Sequence, residues 1–149
     1  RFRSRKDFGF GLFKTLPVRW NNFISFYIAT TTMPLFELRT NQRLNEEEVR
    51  SLVSEISCVC SEILRKPEKY VMVDFQMGQS LIFAGTDDPA AFGKLHSINL
   101  PLNETATLSA QLCSFLSERL HVPQERIYLS FVDVERNKWG WNGQTFGSS

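Results

Sequence analysis

The stretch NEEEVRSLVSEISCVCSEILRKPEKYVMVDFQ, residues 45–76, decides the fold. Asn45 precedes Glu46, Glu47 and Glu48, giving a side-chain cap, acids in the first turn and a Glu at the N3 position that a capping box uses. A helix therefore starts there. Val49, Leu52, Val53, Ile56, Val59, Cys60, Ile63 and Leu64 recur at three- and four-residue spacing, an apolar stripe that must face a sheet or another helix. The stripe ends near Pro67, and residues 70–76 read as a strand.

Shifting the chain by 56 positions repeats this pattern. Leu52, Ile56, Val59, Cys60, Leu64, Pro67, Val71, Val73 and Phe75 fall on Leu108, Leu112, Phe115, Leu116, Leu120, Pro123, Ile127, Leu129 and Phe131. Two amphipathic units slid into phase match apolar residues by chance, but the paired prolines and the unbroken register through helix and strand favour a true repeat. Working outward, residues 34–41 alternate as a first strand and residues 80–85 read as a third, closed by the turn-rich Gly85-Thr-Asp-Asp-Pro89. The second helix is expected to begin after Asn103 as its N-cap, so the Asn103-Glu-Thr105 glycosylation pattern is expected to stay unmodified. The order is strand, helix, strand, twice. The expected class is α/β (α+β): two βαβ repeats forming one mixed sheet with two helices on one face. Tyr70, Met72, Tyr128 and Val132 make the other face look apolar as well, so a second copy of the chain is expected to cover it in a symmetric oligomer.

One domain suffices for 149 residues. With 42% hydrophobic and 22% charged residues the chain can build a core, unlike a disordered sequence. The net charge of +1 supplies no field for nucleic acid or anionic lipid, which are excluded as expected partners. The average conceals a split at residue 33. Residues 1–32 carry Arg1, Arg3, Arg5, Lys6, Lys14 and Arg19 against Asp7, whereas the rest of the chain is net acidic. Their longest apolar run, residues 23–29, is far short of the roughly 20 residues that span a bilayer. Three readings of this head stand: an organelle transit peptide, translated upstream sequence, or a poorly folded arm. The second is favoured, and the expected boundaries are an extension at 1–32, disordered or absent from the mature protein, and a domain at 33–149.

Most residues that look chemical have a plainer reading. Cys58, Cys60 and Cys113 contain no C-x-x-C pair, and Cys60 and Cys113, on or beside the apolar stripes, are expected to fill the core; no metal or cofactor is called for. His96 and His121 have no neighbouring partner for a metal or a triad, and are expected to be satisfied surface histidines. Nucleotide-binding and hydrolase motifs are absent from the sequence. What stands out is Met33-Pro34 at the start of the first strand. Removing the methionine leaves a secondary amine, which burial and a nearby cation hold neutral and reactive. The competing reading is that Pro34 opens an edge strand, where its missing N–H costs nothing.

Met-Pro-Leu-Phe at 33–36, Thr-Asn at 40–41, Lys-Pro-x-x-Tyr at 66–70, Gly-Thr-Asp-Asp-Pro-Ala-Ala-Phe-Gly at 85–93, His-Ser-Ile at 96–98 and Gly-Trp-Asn-Gly at 140–143 resemble the macrophage migration inhibitory factor and D-dopachrome tautomerase family. The form Lys-Pro-Glu-x-Tyr-Val-Met with Asp-Pro-Ala-Ala looks most similar to plant and protist members. The resemblance implies the tautomerase fold over 33–149, a homotrimer, and a cofactor-independent keto–enol tautomerase acting on phenylpyruvate or dopachrome. It implies Pro34 as catalytic base and Lys66 as the cation that binds a small aromatic α-keto acid. By the same resemblance Ile98 offers a backbone N–H, Tyr128 comes from a neighbouring subunit, and Trp141 and Phe146 line the pocket. Lys66 otherwise reads as an exposed cation at a helix terminus, and Tyr128 as an ordinary strand aromatic. Ser130 stands where animal members commonly have asparagine, and Trp139 where a smaller aliphatic residue is usual, so the pocket is expected to narrow or change its selectivity. Ala90 and Gly93 replace the C-x-x-C of some members. The alternative function is a non-enzymatic, cytokine-like signalling or interaction protein with a receptor partner and an occluded pocket. A cytoplasmic location is expected, with export only by an unconventional route and organelle targeting by residues 1–32 left open.

Overall fold

The computed structural model describes residues 33–148; the expectation about the leading 32 residues lies outside them. Strand β1 (Leu35–Thr40) alternates as the sequence suggests, burying Phe36, Leu38 and Thr40. The Thr40 hydroxyl donates to Ala90 O at 2.8 Å, so the one polar side chain β1 buries is satisfied. Helix α1 (Glu46–Leu64) begins with the anticipated capping box: Glu48 N–H donates to Asn45 Oδ1 at 2.9 Å, and Asn45 N–H donates to Glu48 Oε2 at 2.8 Å. Strands β2 (Met72–Gln76) and β3 (Ala91–Ser97), helix α2 (Thr105–Leu120) and strand β4 (Ile127–Asp133) follow. A small hairpin, β5 (Gly140–Trp141) and β6 (Gln144–Thr145), closes the described chain.

The repeat is physical. Leu52, Ile56, Cys60 and Leu64 are the buried residues of α1, and Leu108, Leu112, Leu116 and Leu120 are those of α2, each pair 56 apart. Both helices stop on a left-handed residue, Arg65 (φ 55°) and His121 (φ 54°), again 56 apart and each two before a proline. The sheet runs β2-β1-β3-β4; β1/β2 and β3/β4 are parallel, and the halves meet where β1 and β3 pair antiparallel. Side chains from both helices and all four strands join one core on one face of this mixed sheet.

Three expectations need correction. Residues 80–85 are not a strand. Phe83 and Thr86 exchange backbone hydrogen bonds around Ala84 (φ 52°) and Gly85 (φ 78°), a tight turn, and Ile82 is exposed. The strand lies at Ala91–Ser97, whose inward positions are Ala91, Gly93, Leu95 and Ser97. With one bulky residue among four, its apolar alternation is nearly invisible in sequence. The small residues are required, because a Cβ on Gly93 would lie 2.7 Å from Leu129 Cδ2 and 2.9 Å from Phe36 Cζ. Asn103, second, is not the cap of α2. It sits in a one-turn 3₁₀ helix, Leu102–Glu104, and Glu104 takes the cap position without a side-chain hydrogen bond. Third, the face away from the helices is mixed rather than apolar. Its middle row is Asp74, Glu37, Lys94 and Ser130, with apolar residues confined to the rows of Met72, Leu35 and Val132 and of Phe92 and Tyr128.

Gly93→Ala is expected to destabilise the fold by about 1–3 kcal/mol, because neither ring nor branched side chain can retreat in a packed core. Urea unfolding measures it, and an unchanged midpoint contradicts the packing described.

Candidate active site

Pro34 stands immediately before β1, a central strand flanked by β2 and β3, so the edge-strand reading is wrong. The residue is buried, and its carbonyl accepts Met72 N–H at 2.9 Å. Proline is tolerated at this first position because the ladder asks it for an acceptor and no donor. Leu35 pairs with His96, so one further step of the antiparallel register sets Pro34 level with Ser97.

Lys66 reaches the same place from the other half of the architecture. The chain turns sharply after α1, with Arg65 left-handed and Lys66 N–H donating to Ser61 O at 2.9 Å. This turn aims the Lys66 side chain at the end of β3, where its ammonium donates to Ser97 Oγ at 2.5 Å and to Ile98 O at 2.7 Å. It is not the exposed helix-end cation that was the alternative. Burial drives its pKa down from 10.5 to about 8, partly opposed by the carboxylate of Asp133. Asp133 is itself anchored, accepting Leu100 N–H at 2.9 Å. Ile98 is buried, and it meets this lysine through its carbonyl oxygen.

An aromatic wall flanks the end of β2. Tyr70 directly precedes Val71, beside the Pro34–Met72 bond, and its ring meets Trp141 edge-on at 6.2 Å. Trp141 stacks on Phe146 at 6.0 Å with 9° between the planes. The wall is held by Phe146 N–H to Trp139 O at 3.2 Å and by Arg136 Nε to Phe146 O at 3.1 Å. The Trp139 ring lies 6.3 Å from His96. Thus Pro34, Lys66, Ile98, Trp141 and Phe146 gather at one end of the sheet.

Tyr128 does not join them. It pairs with Phe92, which is level with Arg39, five residues along from Pro34 or about 16 Å at the rise of an extended strand. Its side of the sheet is open, and the residue is 63% exposed. Two residues of the site escaped the sequence reading. Tyr70 was visible within the Lys-Pro-x-x-Tyr motif, but nothing there gave it a partner. Ser97 had no assigned role because its strand was not recognised.

The competing chemistry is weak. Cys60 is buried and its thiol pushed up to about 12, while Glu62 raises that of exposed Cys58. Cys113 is also unpaired. No group of three metal-binding side chains occurs among the described residues. His96 is satisfied by Glu37 at 2.7 Å, and exposed His121 serves as the end of α2. Among the described residues no helix is long and apolar enough to cross a membrane.

The family model described as Macrophage migration inhibitory factor (MIF) matches residues 33–147. The chain is 37% identical over 115 residues to a macrophage migration inhibitory factor homolog of Trichinella spiralis, covering 76% of this chain and 100% of that protein. It is 35% identical over 116 residues to macrophage migration inhibitory factor of Mus musculus, covering 76% and 99%. Among solved structures, the homologue from Prochlorococcus marinus superimposes with a TM-score of 0.71 at 36% identity, covering 76% of this chain and 99% of that one. The factor from Trichinella spiralis gives 0.68 at 34% identity, covering 74% and 98%. The match therefore spans essentially the whole length of each of these relatives.

Lys66 makes stability pH-dependent. Below about pH 8 both folded and unfolded chains carry the ammonium and the burial penalty is complete; between about 8 and 10.5 only the unfolded chain retains the proton, so the penalty fades as pH rises. Stability of the native chain relative to Lys66→Met is expected to increase across that interval in urea unfolding. Parallel pH profiles contradict the burial of this charge.

Proposed function

The chain belongs to the macrophage migration inhibitory factor family and has its tautomerase fold, and from this we propose that it is a cofactor-independent keto–enol tautomerase of aromatic α-keto acids with Pro34 as base. The observation that carries the reading is the convergence of a buried proline at the head of the central strand with a half-buried lysine fixed to Ser97 and Ile98. Once Met33 is removed, Pro34 nitrogen is a secondary amine with a lone pair. It takes the proton from the carbon next to the keto group of a substrate such as phenylpyruvate, and the electron pair moves to the keto oxygen. Returning a proton to that oxygen completes the enol, so no electron acceptor is needed.

The Lys66 ammonium serves twice. It binds the carboxylate or developing oxyanion, and its charge disfavours the protonated form of a nearby amine. The Ile98 N–H holds the substrate's polar end, while Tyr70, Trp141 and Phe146 receive its ring. Dopachrome fits the same requirements of an acidic carbon, a carboxylate and a flat ring. Tyr128 serves the site of a neighbouring copy, in keeping with the homotrimer that the family resemblance implies. Support comes from the placement of Tyr128 far from Pro34 on an uncovered sheet face with apolar margins. Trp139, whose ring lies 6.3 Å from His96, is bulkier than the aliphatic residue usual at this position and is expected to restrict the substrates that fit.

A second reading rests on the peptide bond between Met33 and Pro34 in this sequence. An acylated Pro34 nitrogen is an amide without useful basicity, and the chain then acts as a cytokine-like interaction protein with an idle cavity.

Protein beginning at Pro34 is expected to tautomerise phenylpyruvate, with KM rising above about pH 8 as Lys66 discharges. Pro34→Gly is expected to lose at least about tenfold in kcat/KM. Equal rates in the two proteins overturn the assignment of the base.

A further inference from the structure

Arg126 takes no part in the site described above, yet its guanidinium is committed to main-chain carbonyls. Nε donates to Pro89 O at 2.8 Å, Nη1 to Phe83 O at 3.3 Å, and Nη2 to Asp88 O at 3.0 Å, with Thr86 O at 3.5 Å. The planar fork thus fastens residues 83–89 to the start of β4. Its carbon also lies 5.2 Å from the Phe83 ring centroid. Phe83 in turn meets the Tyr128 ring edge-on, with centroids 4.8 Å apart and planes at 70°. The turn that carries Phe83 is tight, with Ala84 and Gly85 both at positive φ, so the ring's direction is fixed once the turn is fastened.

Tyr128 needs such a brace. It stands on an open sheet face, where an unbraced tyrosine samples two χ1 rotamers. We infer that Arg126 is a positioning residue for Tyr128: it fastens the 83–89 turn so that Phe83 holds the tyrosine ring in the one direction from which it serves a neighbouring copy's aromatic α-keto acid site. The inference rests on the reading of Tyr128 given above. Losing the brace divides Tyr128 between rotamers and lowers the fraction competent to bind, which weakens substrate binding and leaves the proton transfer at Pro34 intact.

The test uses protein beginning at Pro34 and the variants Arg126→Ala, Arg126→Lys, Phe83→Leu and Phe83→Tyr. KM for phenylpyruvate is expected to rise roughly threefold in Arg126→Ala and Phe83→Leu with kcat unchanged within about twofold. Arg126→Lys, lacking the fork, is expected between wild type and Arg126→Ala, and Phe83→Tyr, which keeps the ring, is expected to retain the wild-type KM. Unchanged KM in Arg126→Ala, or Phe83→Tyr behaving like Phe83→Leu, overturns the inference. A readout independent of catalysis is the NMR ring signal of Tyr128, assigned by its loss in Tyr128→Phe. Ring-current displacement is expected in wild type and Phe83→Tyr, and its collapse in Arg126→Ala and Phe83→Leu; an unmoved signal in Arg126→Ala also overturns the inference. If the wild-type protein is inactive, the proposed function fails while the NMR result still decides the brace.

Discussion

The antiparallel pairing of β1 with β3 is the constraint on which the rest of the structure depends. Each half is an ordinary parallel βαβ unit that leaves a helix on one face of two strands. Joining the halves through their first strands puts both helices over one core and places β1 at the centre of the sheet. The same junction sets Pro34 level with Ser97. A lysine leaving the end of α1 can then meet a serine from the other half, so the site is a property of the junction rather than of either repeat.

Much of this was legible in sequence where bulky residues carried the signal. The four buried positions of α1 and α2 coincide with the 56-residue offset, and the capping box at Asn45 and Glu48 is formed as its residues suggest. The reading failed where burial is achieved by small side chains. Ala91, Gly93 and Ser97 show no apolar alternation, whereas Leu81, Ile82 and Phe83 look like a strand yet only lead into the turn at residues 83–86. Asn103 illustrates a second limit: a good cap residue loses its role when a 3₁₀ turn precedes the helix. Pro34 illustrates a third, because strand order, and hence its central place, is a non-local property.

Site residues divide in the same way. Motif resemblance singled out Lys66, Ile98, Trp141 and Phe146, and the fold assembles them with Pro34 at one end of the sheet. Tyr70 and Ser97 acquire meaning only through their partners, Trp141 and Lys66. The cost of holding Lys66 partly away from water is visible in its pKa of about 8, and the bonds to Ser97 and Ile98 offset part of that cost.

Everything catalytic in this account requires Pro34 nitrogen to be a free amine. The most direct measurement is the intact mass of the protein isolated from its native source. The expected mass is that of a chain beginning at Pro34; a mass that retains Met33 or any residue before it contradicts the catalytic role.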